Sequence, residues 1–206
     1  LLAEKSDLLH DRKVVVFAFN APFYLDATDL TFIDAYYCLY SKTAAFVETA
    51  ARLLFQEIVP KGHSPVSIPV VGYDLIEMTY PDPDQIISLE IDVDNLPEAK
   101  QEEILSTGIE NVIFRLGDAL PIQTGRILDR NGLPVPDGTV VYFMINHVGE
   151  SEQATIIEAV TSEGVATMSY LLQTFGRVEI RAQSDTAKNS EIFLLDITSA
   201  AGGVIS

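Results

Sequence analysis

Three histidines, one cysteine and thirty acids are the groups of this 206-residue chain that suit acid–base, nucleophilic or metal chemistry. His10, His63 and His147 lie far apart and lack metal-ligand spacing. They read as loop or solvated residues, with His63, just after a helical segment, placed for a local hydrogen bond. Cys38 sits in the apolar run 35–40 with no base or cation beside it, so it reads as a buried structural thiol. A single cysteine excludes an intrachain disulfide and a cysteine metal cluster. No nucleophile elbow and no glycine-rich phosphate loop is present. No cofactor is expected.

Carboxylates are plentiful, and glycoside hydrolysis needs two of them facing one bond. Asp26 and Asp29 flank Ala27-Thr28, a pattern that suits a turn or a helix cap. Asp74 and Glu77 follow the last strand of the first half, and Asp74 is a candidate ligand or domain contact. Asp92 and Asp94 are the pair a divalent cation would take, against a reading as a solvated strand face. The twelve-residue calcium loop with its central glycine and final glutamate is absent. Seven aromatics, Phe23, Tyr24, Tyr36, Tyr37, Tyr40, Tyr73 and Tyr80, are candidates for stacking on sugar rings. Phe23 and Tyr24 stand out because they follow a buried strand, where α/β folds place ligand contacts. The candidate ligand or domain contacts are thus Phe23, Tyr24, His63 and Asp74, with no catalytic residue assigned. In the second half, Tyr142, Phe143, Tyr170 and Phe193 read as core.

The elements that must position these groups differ between the two halves. Residues 14–19 form a continuous apolar run, the pattern of a fully buried parallel strand. Residues 32–40 predict a second strand. A helix capped by Ser41 or Thr43 runs to about Glu57, with apolar residues three and four apart, and Pro60-Lys61-Gly62 ends it. Residues 66–71 predict an edge strand, interrupted by Pro69. Ile87, Leu89, Ile91 and Val93 alternate with polar residues, as in a half-buried strand. A short helix or linker follows over 97–105, closed by Gly108. From 112 onward about seven short strands alternate with Gly and Asn turns, which predicts an all-β sandwich.

Thirteen basic residues against thirty acids leave a net charge of −17. Nucleic acid and anionic membrane surfaces are disfavoured as partners, because both need compensating cations. The 48% hydrophobic content supports folded cores. No apolar stretch is long enough for direct membrane insertion. The charge concentrates over 77–110, where ten acids stand against Lys100. The expected organisation is a truncated α/β domain over 1–78, an acidic connecting segment with at most one strand over 79–111, a β-sandwich over 112–198 and a flexible tail over 199–206. A chain that opens Leu-Leu-Ala-Glu is expected to be a piece of a longer protein.

Two resemblances add to this reading. Val14-Val15-Val16-Phe17-Ala18-Phe19-Asn20-Ala21-Pro22-Phe23, the run 35–40, the segment 44–55 and Pro60-Lys61-Gly62-His63-Ser64-Pro65-Val66-Ser67-Ile68-Pro69 resemble the C-terminal α/β sandwich domain of glycoside hydrolase family 3. The stretch is most similar to bacterial exo-acting β-N-acetylhexosaminidases. Lys61 and His63 stand where that family often has Ser and Arg. The family's nucleophile lies in an N-terminal (β/α)₈ barrel that nothing here matches, so no catalytic role carries over. The second resemblance is to bacterial Ig-like modules. It rests on Asp129-Arg130-Asn131-Gly132-Leu133-Pro134-Val135-Pro136-Asp137-Gly138 with the strand that follows, and on Thr161-Ser162-Glu163-Gly164-Val165-Ala166.

Together the resemblances imply a non-catalytic accessory region of an exported exo-glycosidase. Its partner would be the missing barrel, and its setting extracellular or at the cell surface. The parent would cleave terminal amino-sugar bonds by a retaining two-carboxylate route. The alternative is an autonomous carbohydrate-binding, adhesion or spacer module with a glycan as partner.

Overall fold

The structure, a computed structural model, describes residues 4, 6–9, 11–20, 25–109, 112–148, 154–197 and 203–205. The chain divides into two compact units, Leu1–Asp74 and Leu75–Ser206, so the boundary falls just ahead of the expected one.

In the first unit a short helix α1 (Ser6–Leu9) precedes strand β1 (Val15–Ala18), helix α2 (Ala27–Leu30), strand β2 (Ala35–Cys38) and helix α3 (Ala44–Leu54). β1 and β2 pair in parallel, with Phe17 opposite Tyr37. Those two rings stack at 5.1 Å and 16°, adding a cross-strand contact to the ladder. Asp34 pins the start of the pairing by accepting from the backbone N–H of Val14 at 2.8 Å and from Lys13 Nζ at 2.7 Å. α3 buries Ala50 and Leu53 beside Leu39, with Phe17, Phe19, Tyr37 and Ile58 packed around them.

Three expectations change in this unit. β1 is half-buried rather than fully buried; among the described residues the unit's buried core is three side chains, too few to cover both faces of the ladder. α3 stops before Pro60, because Gln56 takes a left-handed φ of 57°. The N–H of Gln56 then reaches the carbonyl of Leu53, and that of Glu57 the carbonyl of Arg52, which closes the helix end. Residues 66–71 do not make a strand. Pro69 opens a 3₁₀ turn, Pro69–Val71, and Gly72 follows at φ 72°. Only the bridge between Ile68 and Tyr73 is strand-like there.

The second unit holds helix α4 (Leu75–Met78), strands β3 (Ile86–Ile87) and β4 (Leu89–Ile91), helix α5 (Glu98–Thr107), and strands β5 (Ala119–Thr124), β6 (Val140–His147), β7 (Thr155–Ser162), β8 (Val165–Leu171), β9 (Gly176–Gln183), β10 (Asn189–Ser190), β11 (Phe193–Ile197) and β12 (Gly203–Ile205). Eight of these strands run in the order β12-β11-β9-β6-β7-β8-β5-β4, all antiparallel, while β3 pairs separately and in parallel with β10. β7 meets β8 only at Thr161–Ala166 and Ser162–Val165. That hairpin therefore joins a β4-β5-β8 ladder to a β7-β6-β9-β11-β12 ladder. Glu163 and Gly164, at φ 51° and 81°, form its two-residue turn, matching the twist of the flanking strands.

Alternate residues of both ladders enter one core: Leu120 and Ile122 from β5, Val141, Phe143 and Ile145 from β6, Val178 and Ile180 from β9. Burying each large side chain contributes roughly 1.5–3 kcal/mol.

The stretch 79–111, expected as a connection, belongs to this unit. Ile87, Leu89, Ile91 and Leu96 lie in the core. Apart from Asp92, the described acids of the stretch are exposed or half-buried while the apolar half of the alternation packs inward. Asp92 departs from the expected solvated face: it is 5% exposed and caps the 3₁₀ turn Val93–Asn95. Residues 112–116 pack Val112 and Phe114 into the core without forming a strand. The expected tail over 199–206 contributes β12, which pairs with β11 through Leu194–Ile205, Leu195–Val204 and Asp196–Gly203.

Candidate functional site

Phe23 and Tyr24 lie outside the described residues, as does His10. His63 is exposed in the loop before Pro69, and Asp74 is exposed just before α4. Neither lines either of the two clefts below. Asp26 is the N-cap of α2, accepting from the N–H of Asp29 at 2.8 Å, so this close pair of carboxylates serves local structure. Both carboxylate oxygens of Asp92 are taken by Asn95, one by its N–H at 3.3 Å and one by Nδ2 at 2.6 Å. Asp94 is exposed beside it. Among the described residues no three metal-ligating side chains gather.

Cys38 is half-buried on β2, and burial pushes its thiol up from the ordinary range. Burial does the same to the phenols of Tyr36 and Tyr40, with the neighbouring Cys38 adding to the effect. Tyr37 is in the first unit's core, and Tyr73 donates to the carbonyl of Ser64 at 3.0 Å. Among the described members of the seven, Tyr80 lines a cleft.

The first cleft, of about 580 Å³, is lined by Asp7, Leu9, Asp11, Thr31, Phe32, Ile33 and Asp34. It collects three carboxylates, but Asp34 is engaged by Lys13 and Val14, whose hydrogen bonds hold its carboxyl below the usual range. Asp7 and Asp11 remain on the same lining.

The second cleft, of about 510 Å³, lies wholly within the second unit. Three segments build it. Tyr80 and Pro81 come from the chain after α4; Pro81 bridges to Asp129, and the N–H of Arg130 donates to the carbonyl of Tyr80 at 3.2 Å. Pro136, Thr139, Val140 and Tyr142 come from the entry into β6. Asp185 and Lys188 come from the turn after β9. That turn is fixed on both sides. Ser184 and Ala187 exchange backbone hydrogen bonds at 2.9 and 2.8 Å, Ser184 Oγ donates to the carbonyl of Val140 at 2.7 Å, and Thr186 Oγ1 donates to the carbonyl of Pro81. Asp185 takes φ 40°, a conformation non-glycine residues rarely hold.

Tyr142, expected in the core, points outward because Val141 and Phe143, its neighbours on β6, point in. The run 139–145 is apolar at nearly every position, so the phase of the alternation is not visible in residue types alone. Asp185 and Lys188 carry no motif that would mark them in the sequence.

A third cluster joins His147 to two hydroxyls. Its Nε2 is 2.9 Å from Tyr170 Oη and its Nδ1 2.9 Å from Thr174 Oγ1. Both ring nitrogens are thereby occupied, and the imidazole ties β6 to β8 and to the loop before β9. With both ring nitrogens engaged, the imidazole acts as a structural clasp.

Among the described residues no helix is long and apolar enough to cross a membrane. No protein-family model, curated protein or solved structure matches this chain.

Proposed function

We propose that this chain is a non-catalytic accessory region of an exported exo-glycosidase of the glycoside hydrolase family 3 type, its first unit a partial α/β sandwich domain and its second an Ig-like module. The observation that carries this reading is the surface of the first unit. α3 buries Ala50 and Leu53 but leaves Val47 50%, Leu54 55% and Phe55 75% exposed. An apolar stripe of that kind on a helix already packed on one side suits docking against a neighbouring domain. In this reading the neighbour is the catalytic barrel, and the stripe is where the two meet.

The second unit supports the Ig-like assignment through its connectivity. β4 pairs antiparallel with β5 at the edge of one ladder, β11 pairs antiparallel with β9 in the other, and both ladders contribute to one core. Such a module would display or space the enzyme outside the cell.

Turnover is the test. The purified chain should leave a chromogenic N-acetylglucosaminide intact, because in this reading the catalytic carboxylates belong to the barrel. Hydrolysis above the buffer rate, lost on substitution of an acid of this chain, would overturn the reading.

A further inference from the structure

We propose that the cleft between Tyr80, Tyr142 and the Asp185–Lys188 turn binds a neutral sugar chain. This deepens the accessory reading, on which the choice of glycan rests: the region would hold the polymer as well as flank the enzyme.

The chemistry of the lining points to this class of ligand. Tyr80 and Tyr142 are 41% and 36% exposed, and neither phenol has a hydrogen-bond partner among the described residues. Their rings offer apolar faces, and Pro81 and Pro136 add rigid apolar surface. Sugar rings present C–H faces to such surfaces and hydroxyls at their rims.

Those hydroxyls both donate and accept, and the cleft supplies both needs. Asp185 accepts and Lys188 donates. Thr139 gives its proton to the carbonyl of Pro136 at 2.6 Å, so its oxygen faces a ligand as an acceptor. One ammonium beside one carboxylate in a chain of net charge −17 does not suit a polyanion. A lipid chain would leave both charges unpaired.

The frame is already in place. Hydrogen bonds from Ser184, Thr186 and Arg130 tie the three segments together, so little ordering is left for binding to supply. The left-handed Asp185 is held on that frame at the cleft's rim, where strained residues often serve a ligand.

Calorimetry and amide NMR of the whole chain, titrated with N-acetylchitotetraose and with cellotetraose, test the proposal. Saturable binding of one of them should shift amides at 79–80, 139–142 and 185–188. Tyr142→Ala and Tyr80→Ala should each weaken it by about tenfold, and Tyr142→Phe should keep it. Tyr142 faces outward, so its truncation leaves the core untouched, and the spectrum of each variant reports its fold.

The cleft proposal fails if neither sugar shifts those amides at millimolar concentration, or if both alanine variants bind like the parent. It fails equally if a proline-rich peptide saturates those amides while neither sugar does, which would make the groove a peptide site. Any of these leaves the accessory reading standing. Hydrolysis by the chain would sink the accessory reading and leave the cleft to be judged on its own binding data.

Discussion

Lys100 Nζ lies 4.7 Å from the ring centroid of Phe114. The same ammonium is 3.1 Å from Asp118 Oδ2 and donates to the carbonyl of Ile113. The one base of the acidic stretch is thus the peg that fastens α5 to the segment leading into β5. Lys100→Met keeps most of the stem and removes the charge, taking the lysine donor from the Ile113 carbonyl and leaving Asp118 with the N–H of Arg115 at 2.8 Å. It should cost about 1–3 kcal/mol, read as a lower urea midpoint. An unchanged midpoint would show that the ammonium contributes nothing.

Gly164 and Gly132 both sit at positive φ, 81° and 75°, yet their surroundings differ. A Cβ at Gly164 would lie 3.1 Å from Arg126 Cγ, the carbonyl oxygen of Ile127 and Pro134 Cβ, whereas at Gly132 it would meet nothing within 4 Å. Gly132→Ala should therefore cost only the left-handed penalty, about 1–2 kcal/mol. Gly164→Ala should cost clearly more in the same denaturation assay. Equal losses would mean that the hairpin shifts freely to make room.

Arg177 grips Asp196 with two hydrogen bonds, at 2.8 and 2.9 Å. The side-chain hydrogen bond from Arg177, helped by its charge, holds the Asp196 carboxyl below its ordinary value of 3.8. The native state then binds this proton less readily than the unfolded chain. The stabilisation is present above that ordinary value and disappears as pH falls through the lower native one. Asp196→Asn should lower the melting temperature slightly at neutral pH, because the pair is solvent-exposed. The gap between parent and variant should close in strongly acid solution. A gap that stays constant down the acid limb would contradict the pairing.

Cys38 should behave as a sluggish thiol. Burial raises its ionisation above the ordinary range, and only the thiolate attacks alkylating agents. Iodoacetamide at neutral pH should label the native chain more slowly than the chain in urea. Equal rates would place the sulfur in open solvent.

Legibility in the sequence followed what each residue type constrains. Short β-strands bounded by Gly and Asn turns could be read because those turns demand particular backbone conformations, and β5 to β9 and β11 lie between such turns, whereas β10 (Asn189–Ser190) carried no such signal. The alternation over 87–91 also predicted which side chains turn inward. It failed at Asp92, since a capping carboxylate and a strand carboxylate look alike until the chain's change of direction is known. The helix end at Gln56 was hidden for a related reason. A glutamine in a left-handed conformation has no compositional signature, whereas the Pro60-Lys61-Gly62 cluster beyond it does. The Tyr80–Tyr142 cleft was half visible. Tyr80 stood among polar and turn-forming residues, but Tyr142 was masked by apolar neighbours, and Asp185 and Lys188 meet Tyr80 only through contacts more than a hundred positions apart in the chain.

The parallel pairing of β3 with β10 has a mechanical consequence. Tension applied through the chain just before Ile86 and the chain just after Ser190 pulls these two parallel strands past each other along their length. Their Asn189–Ile86 and Ser190–Ile87 contacts then share the load and must yield together, whereas the bonds of a hairpin pulled at its open end break in succession. The patch is short, but it gives the early part of the unit a contact that is loaded in shear.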